Sequence, residues 1–381
     1  MDKQKCSFCG LEKDKLIEGL DAYICQDCID SANDSKQLEE LSEDTKPKIL
    51  KPHEIKAELD KFVIGQERAK KKLSVEIYNH YKRINSKPNR NVEFPKSNIL
   101  LIGPSGSGKT YLLERLSTIL NVPLVIGDAT GLTEAGYVGK DVDSLLLNLI
   151  DKANGDIELA EKGIIYIDEI DKIISGKESG SKSKDVGGEG VQQSLLKILE
   201  GTEYTFDKTG ETINTKNILF VCGGAFDGIN KVIEQRLTKK KSIGFATSET
   251  NDEETSNSEN ILHKVQTEDL VEYGLIKEFI GRLHLIATLD ELTEEDLKNI
   301  LTKPKNAVIK QYQALLKLDN IKLKFSKDAI EYVAKEAKRR GTGARGLKGV
   351  ISDRLNDLMY ELPMDADIKE YTVTKEYLTK K

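Results

Sequence analysis

A glycine-rich segment has the residue types and spacing needed to bind phosphate. The segment comprises Gly103, Pro104, Ser105, Gly106, Ser107, Gly108, Lys109 and Thr110, and it follows an apolar run and precedes a helical pattern. Its backbone N–H groups can wrap phosphates, Lys109 can reach the terminal ones, and the Thr110 hydroxyl can bind Mg²⁺. The alternative is a glycine-rich turn, but the strand-then-helix context favours a nucleoside triphosphate site.

Two adjacent acids, Asp168 and Glu169, end a second apolar run at 163–167. An acid at the end of a strand can hold Mg²⁺ through water, and a second acid can polarise a water for attack on the γ-phosphate. The alternative is a solvated turn. Because the pair follows a phosphate loop, we predict that Asp168 is the magnesium residue and that Glu169 activates water. The chain is then a hydrolase and not only a nucleotide-dependent switch.

Four of the five cysteines form two Cys-x-x-Cys pairs near the N-terminus, Cys6 with Cys9 and Cys25 with Cys28. Each pair can point two thiolates at one ion, and two pairs make a tetrahedral set, so the spacing predicts structural zinc. A redox disulfide is the alternative for one pair, and a rubredoxin-like iron site is the alternative for both. Since the segment has few apolar residues, the metal would supply its folding free energy.

The composition limits the class of protein. The chain has 381 residues, of which 38% are hydrophobic and 32% are charged, which predicts two or three globular domains. Its 58 Lys and Arg against 64 Asp and Glu give a net charge of −6, which argues against a protein that works mainly by coating nucleic acid. The polar first residues and the lack of a long apolar run predict neither a secretory signal nor a membrane span. We therefore expect a cytoplasmic protein with reduced cysteines.

Short apolar runs alternate with helical periodicity through the middle of the chain. The runs lie at 98–102, 123–126, 164–167, 217–221 and 283–288. This pattern predicts an α/β domain with a mostly parallel sheet covered on both faces, in which Cys222 is a small buried residue at a strand end. From about Leu292 the pattern predicts helices only, the first of them at 294–302 with Thr293 as its N-cap. Later helices are expected at 307–316, 329–338 and 345–362.

The domain boundaries follow from these changes. We expect a zinc-binding N-terminal domain with the start of a linker at 1–45, a large α/β ATPase domain at 46–290 and a small helical domain at 291–381. The linker at 31–52 is polar and partly helical. Two segments, 175–190 and 246–260, are rich in Gly or in polar residues, and both are expected to be mobile loops.

Four further short motifs accompany the phosphate loop and the cysteine pairs. They lie at 136–139 (Gly-Tyr-Val-Gly), 164–172, 278–282 (Glu-Phe-Ile-Gly-Arg) and 342–346 (Thr-Gly-Ala-Arg-Gly). In this order the chain resembles the ClpX family of AAA+ unfoldases over nearly all of its length. The combination is specific, since the related HslU-type unfoldases lack the cysteine domain. The resemblance implies an AAA+ P-loop ATPase domain, a C-terminal small α-helical domain and an N-terminal zinc module.

The resemblance also implies roles for single residues. Ile64, within the segment 63–66, would pack on the adenine, Arg345 would sense the γ-phosphate, and Arg282 would act as an arginine finger in a neighbouring subunit's site. Tyr137 and Val138 would line the axial pore of a ring and push substrate. From the residues alone, Arg282 is only a charge before a strand, and Tyr137 is better explained by packing over a turn.

Ile243, Gly244 and Phe245 lie between a basic run and the acidic segment 246–260. Exposed apolar side chains in such a segment favour insertion into a partner's pocket, although scattered apolar residues are common on surfaces. In the ClpX family this tripeptide docks on the ClpP peptidase. The family's usual basic pore-entrance loop, however, is missing between Thr202 and Asn217.

The resemblance implies a homohexameric ATPase that takes protein substrates and adaptors through its zinc module. With ATP, Mg²⁺ and Zn²⁺ as cofactors, it would unfold proteins through its pore and deliver them to ClpP. Two alternatives remain open at this point. One is a protease-independent chaperone or nucleotide-gated scaffold, and the other is a nucleic-acid-dependent ATPase with a zinc finger, against which the net charge and the few aromatic residues argue.

Overall fold

The computed structural model describes most of the chain, in two compact units at 1–48 and 49–381. The described residues are 5–12, 15–19, 22–30, 50–86, 92, 94–132, 142–174, 188–206, 210–243, 260–364 and 368–380, without the side chains of 239–243 and 353. The first unit contains an antiparallel hairpin of β1 (Leu16–Glu18) and β2 (Tyr23–Cys25). No helix among the described residues is long and apolar enough to cross a membrane.

A five-stranded parallel sheet forms the centre of the second unit, with strand order β4-β5-β8-β3-β9. Its strands are β3 (Asn98–Ile102), β4 (Leu124–Asp128), β5 (Ile164–Asp168), β8 (Leu219–Gly224) and β9 (Leu283–Thr288). All five predicted runs are therefore strands, and β8 begins later and ends later than predicted. A small antiparallel hairpin of β6 (Glu203–Thr205) and β7 (Thr212–Asn214) lies beside the sheet.

Helices cover both faces of this sheet, as the apolar runs predict. They are α1 (Pro52–Asp60), α2 (Glu67–Asn85), α3 (Lys109–Leu120), α4 (Asp143–Lys152), α5 (Ile157–Ala160), α6 (Gly188–Glu200), α7 (Ile229–Ile243), α8 (Thr267–Tyr273) and α9 (Lys277–Gly281). Because side chains alternate along a strand, Leu100 and Ile102 of β3 pack into one core and Ile99 and Leu101 into the other. Cys222 is fully buried in the first core, as predicted, but it is not at a strand end, because β8 continues to Gly224.

The C-terminal region has a third core of its own. Its helices are α10 (Glu294–Thr302), α11 (Val308–Leu318), α12 (Lys327–Arg339), α13 (Gly343–Glu361) and α14 (Lys375–Thr379). Thr293 caps α10 by accepting a hydrogen bond from the backbone of Asp296, as predicted. The prediction of helices alone was wrong, because β10 (Lys322–Phe325) and β11 (Glu370–Val373) form a parallel pair. Each of these strands has only four residues, too few for a clear alternating pattern.

Several predictions concern residues outside the described part of the chain. The predicted pore residues Tyr137 and Val138 lie there, as do Gly244 and Phe245 and almost all of the segment 246–260. Ile243 is the last residue of α7, and only its backbone is described. Of the segment 175–190, the last three residues are helical and belong to α6, so the prediction of a loop was wrong for them.

Candidate nucleotide and zinc sites

The predicted phosphate loop connects β3, an inner strand between β8 and β9, to helix α3. Gly108 is the N-cap of α3, and Lys109 is its first residue. The Lys109 ammonium donates hydrogen bonds to the carbonyl oxygens of Gly103 at 2.6 Å and Pro104 at 3.2 Å. Burial lowers the pKa of Lys109, and the carboxylates of Asp168 and Asp171 oppose that shift. The loop therefore places a cation at a helix N-terminus, where anionic groups are stabilised.

Asp168 ends β5, and its carboxylate accepts hydrogen bonds from three groups. Oδ2 accepts from the Thr110 hydroxyl at 3.2 Å, while Oδ1 accepts from the Tyr166 hydroxyl at 2.9 Å and from the Glu169 backbone N–H at 3.0 Å. Burial raises the pKa of Tyr166, so its hydroxyl remains protonated and can donate. Carboxylate and hydroxyl oxygens are the hard ligands that Mg²⁺ prefers, so Thr110 and Asp168 fit this ion, directly or through water.

Glu169 has a left-handed backbone, with φ 57° and ψ 32°. Non-glycine residues rarely adopt this conformation, and such strain concentrates at functional sites. It starts a short 3₁₀ turn at 170–173, and its side chain is exposed. Behind it, the buried Asp171 carboxylate accepts hydrogen bonds from the backbone of Ala225 at 3.2 Å and Phe226 at 3.3 Å. This contact ties the acidic turn after β5 to the loop after β8.

These groups line one cavity of about 640 Å³, a volume typical of small-molecule sites. The cavity contains most of the predicted nucleotide residues, namely Ile64, Ser105, Gly106, Ser107, Gly108, Lys109, Thr110, Asp168, Glu169 and Arg345. Gly103 and Pro104 do not line it, and they instead supply the carbonyl acceptors for Lys109. The carboxyl ends of parallel strands meet here, as they do at ligand sites of other open α/β sheets.

Part of the cavity lining is apolar and comes from both the sheet domain and the C-terminal region. Its apolar lining includes Phe62, Val63, Ile64, Leu292, Ile300, Pro304, Ala307 and Val308. The Tyr111 hydroxyl donates to Asn306 Oδ1 at 2.9 Å, and Gln311 Nε2 donates to the Asn306 carbonyl at 2.7 Å. The faces of an aromatic base can pack against these apolar residues, while phosphates fit beside Lys109.

Helix α13 of the C-terminal region contacts the phosphate loop through its first turn. The Ala344 backbone N–H donates to the Gly106 carbonyl at 3.1 Å, and Arg345 follows directly in the cavity. Gln66, at the start of α2, joins the phosphate loop to the segment just before the C-terminal region. Its amide donates hydrogen bonds to Ser107 O at 3.3 Å and to Asp290 O at 2.9 Å. The cavity is therefore built jointly by the sheet domain and the C-terminal region.

Arg282 does not line this cavity. It precedes β9 at the edge of the sheet, where Leu283 pairs with Asn98 at the start of β3, whereas the phosphate loop follows the end of β3. Five strand residues separate the two ends, a distance of about 16 Å. The Arg282 side chain is half exposed and forms an ion pair with Glu200 at 2.6 Å. The structure thus does not bring Arg282 together with the other predicted catalytic residues of this chain.

The four N-terminal cysteines converge, with all their sulfurs within 4.8 Å of one another. Cys6 Sγ lies 3.8 Å from Cys28 Sγ, and Cys9 Sγ lies 3.9 Å from Cys25 Sγ. A tetrahedral ion with zinc–sulfur bonds of about 2.3 Å separates its ligands by about 3.8 Å, whereas a disulfide needs about 2.05 Å. Backbone N–H groups, that of Cys9 foremost, lower the pKa of Cys6 to about 6, whereas the neighbouring thiols, that of Cys25 foremost, raise the pKa of Cys28 to about 12, so the sulfur geometry carries the assignment. The cluster therefore fits zinc.

Comparison with known proteins gives matches in all three regions. The family described as "ClpX C4-type zinc finger" matches residues 4–35, "AAA domain (Cdc48 subfamily)" matches 94–286, and "C-terminal, D2-small domain, of ClpB protein" matches 292–375. The ATP-dependent Clp protease ATP-binding subunits ClpX of Borrelia duttonii and Borrelia recurrentis are each 46% identical to the chain over 390 residues, covering 97% of this chain and 90% of theirs.

The chain belongs to the ClpX family. ClpX-family membership makes it an AAA ATPase that binds ATP, with a zinc finger at its N-terminus. The predicted family, the fold class with its parallel sheet and small C-terminal domain, and the ATPase activity are thereby confirmed. The assignments of individual residues within this ClpX-family site remain predictions.

Several residues that line the ClpX-family cavity or support its residues from behind were missed in the sequence. Tyr111 and Asn306 are far apart in the chain and have no signature of their own, so only the fold could pair them. Tyr166 looked like one more apolar residue of β5, although a Tyr two residues before a functional acid shares its face of the strand. Asp171 offered a clearer signal, because it is an acid two residues after Glu169 that begins no exposed polar run.

Proposed function

We propose that the protein is an ATP-dependent unfoldase and translocase that works as a homohexamer and delivers unfolded proteins to the ClpP peptidase. The proposal rests on one observation above all. The chain's own cavity contains a phosphate loop, two acids and Arg345, whereas Arg282 lies at the other end of the sheet. An arginine about 16 Å away cannot neutralise charge on the chain's own γ-phosphate, but it can serve a neighbouring subunit.

In this proposal, hydrolysis uses the residues at the carboxyl edge of the sheet. Lys109 and the loop N–H groups hold the phosphates, and Thr110 and Asp168 hold Mg²⁺, which offsets charge on the phosphate oxygens when bound. Glu169 orients and deprotonates the attacking water from its exposed position beside Asp168. Arg345 brings a positive charge from the C-terminal region to the same phosphates, so nucleotide binding draws that region toward the loop.

The mechanical parts of the proposal come from family membership. The curated relatives are named as subunits of the ATP-dependent Clp protease, and we extend that role to this chain. Tyr137 and Val138 are proposed to grip substrate in the pore, and Ile243, Gly244 and Phe245 to dock on ClpP. The zinc module is proposed to receive substrates and adaptors. A cluster of reduced cysteines fits work in the cytoplasm.

Degradation of a folded, tagged model protein by the chain together with ClpP tests this function. We expect degradation that requires ATP and both proteins. Deletion of 243–245 should abolish degradation and leave ATP hydrolysis intact, and Tyr137→Ala should abolish degradation at near-normal ATP turnover. Unfolding without any effect of ClpP would support a protease-independent chaperone instead, and stimulation of ATP hydrolysis by DNA but not by unfolded protein would support a nucleic-acid-dependent ATPase.

A further inference from the structure

The Tyr166 hydroxyl occupies an unusual position for a polar group. Tyr166 is in the middle of β5, fully buried, and its ring packs in the core on the α2 face of the sheet. A buried hydroxyl costs free energy unless it is hydrogen-bonded, so a phenylalanine would suffice if only packing were needed. The hydroxyl instead donates to Asp168 Oδ1 at 2.9 Å.

Strand geometry explains how the phenol reaches this carboxylate. Residues two apart on a strand share a face, so the side chains of Tyr166 and Asp168 lie on the same side of β5. The neighbouring strand β8 leaves room for the phenol, because a Cβ on Gly223 would lie 2.2 Å from the Tyr166 hydroxyl oxygen and 2.7 Å from two ring carbons. Any other residue at 223 would displace the phenol from this position.

The contact bears on the orientation of Asp168. Its Oδ2 accepts a hydrogen bond from the Thr110 hydroxyl at 3.2 Å. Because the Thr110 proton points at Asp168, the lone pairs of the Thr110 oxygen are available to bind a cation. Tyr166 and the Glu169 N–H fix the other oxygen, Oδ1, from beneath. The three donors together leave the carboxylate one orientation.

We propose that Tyr166 is a positioning residue for the metal site, acting through Asp168, and that Gly223 provides the space it requires. The inference rests on the proposed role of Asp168 toward Mg²⁺. Hydrogen-bonding partners behind metal-binding residues commonly change metal affinity by 10–100-fold when they are removed. Tyr166→Phe keeps the ring and removes only the hydroxyl, so we expect metal affinity to fall by about tenfold.

The test is binding of Mn²⁺, followed by its electron paramagnetic resonance signal, to the full-length chain saturated with a non-hydrolysable ATP analogue. Tyr81→Phe is the matched control, because Tyr81 is also buried and its hydroxyl donates to the Lys162 carbonyl at 3.0 Å, away from the cavity. We expect Tyr166→Phe to weaken Mn²⁺ binding and Tyr81→Phe to leave it unchanged. Analogue binding in EDTA should be equal in both variants, and thermal unfolding identifies any loss of stability.

Gly223→Ala provides a second route to the same contact, since it keeps the hydroxyl but obstructs its position, and it too should weaken Mn²⁺ binding. Asp168→Asn separates this inference from the function on which it rests. Weaker Mn²⁺ binding in Asp168→Asn with wild-type binding in Tyr166→Phe would overturn the role of Tyr166 alone. Wild-type Mn²⁺ binding in Asp168→Asn would overturn the metal role of Asp168 and this inference with it. Equal losses in Tyr166→Phe and Tyr81→Phe would also overturn the inference, by showing a general structural effect.

Discussion

The backbone N–H of Ala344 donates to the carbonyl oxygen of Gly106 at 3.1 Å, so the phosphate loop and helix α13 touch backbone to backbone. The two segments approach so closely because Gly106 in the loop and Gly343, the residue before Ala344, have no side chain. A Cβ on Gly106 would lie 2.5 Å from Thr342 O, and one on Gly343 would lie 2.8 Å from Gly106 O. A movement of the phosphate loop on nucleotide binding would therefore directly displace α13, the helix that contains Arg345.

Gly343→Ala should disrupt this contact and lower ATP affinity by at least about tenfold, since the added methyl clashes with the loop and the positive φ of 55° disfavours an L side chain. Gly349→Ala is the control, because it lies on the same helix with nothing within 4 Å of its Cβ position. It should bind ATP normally and be slightly stabilised. Equilibrium titration with a fluorescent ATP analogue measures both, and equal affinities in the two variants would argue against the coupling.

Arg282 is expected to act on a neighbouring subunit. Arg282→Ala should lower ATP turnover at least about 10³-fold, and Glu169→Gln should bind ATP yet not hydrolyse it. In mixed oligomers, an Arg282→Ala subunit still has Glu169 in its own nucleotide site. A neighbouring Glu169→Gln subunit still has Arg282 and can supply it to that site. Mixing the two variants should therefore restore part of the activity. A mixture no more active than its components would contradict action between subunits. Glu158→Gln, on an exposed surface, serves as the control.

The zinc site should be needed for the first unit and not for ATP hydrolysis. Cys25→Ser is expected to release zinc and to unfold the N-terminal unit, while basal ATP turnover of the remaining chain stays within about twofold of the wild type. Cys222→Ala is the control: burial raises the pKa of the Cys222 thiol to about 12, and this cysteine lies in the sheet core. Metal analysis should find one zinc per chain in Cys222→Ala and none in Cys25→Ser. Zinc retained in Cys25→Ser would reject the four-cysteine site.

Because of His80, the free energy of unfolding should decrease as the pH is lowered. It is buried on α2, neither ring nitrogen has a hydrogen-bond partner among the described residues, and burial, with Arg83 and Lys96 nearby, lowers its pKa to about 3. The unfolded state, with a pKa of about 6.5, binds the proton first, so stability is lost as pH falls from about 6.5 toward 3. The loss amounts to about 2 kcal/mol at pH 5.

His80→Leu removes this proton-linked loss and replaces a buried, unpartnered polar ring by an apolar side chain. Urea titrations at pH 7 and pH 5 should therefore show a smaller drop in unfolding free energy for His80→Leu than for the wild type. His53→Gln, on the exposed side of α1, should retain the wild-type drop. The same drop in all three proteins would show that His80 is not the group responsible.

The sequence predicted the parts of the fold that have a strong local pattern. Buried strands such as Asn98–Ile102 are continuous apolar runs, and Thr293 with its following acids predicts the start of α10. The phosphate loop and the cysteine pairs are equally local, since their spacing alone specifies their chemistry. The four-residue strands β10 and β11 were missed because a segment of that length carries almost no period.

The contacts between distant segments could not be predicted in this way. Tyr111 meets Asn306, and Gly106 meets Ala344, only because the C-terminal region folds back over the phosphate loop. The ion pair of Arg282 with Glu200 likewise joins the residue before β9 to the last residue of α6, and no sequence pattern predicts that these two residues are neighbours. Packing in three dimensions determines these pairs, so they depend on the whole arrangement of the second unit.

The central claim, that ATP hydrolysis in this cavity drives protein unfolding, is tested most directly with a folded fluorescent protein that carries unstructured tags of several sequences. Loss of its fluorescence is followed with wild-type chain and with Glu169→Gln, each in the presence of ATP and a trap that captures unfolded protein. We predict loss of fluorescence with the wild type for at least one tag and none with Glu169→Gln. Equal rates of loss for the two proteins, or no ATP-dependent loss with the wild type for any tag, would contradict the account.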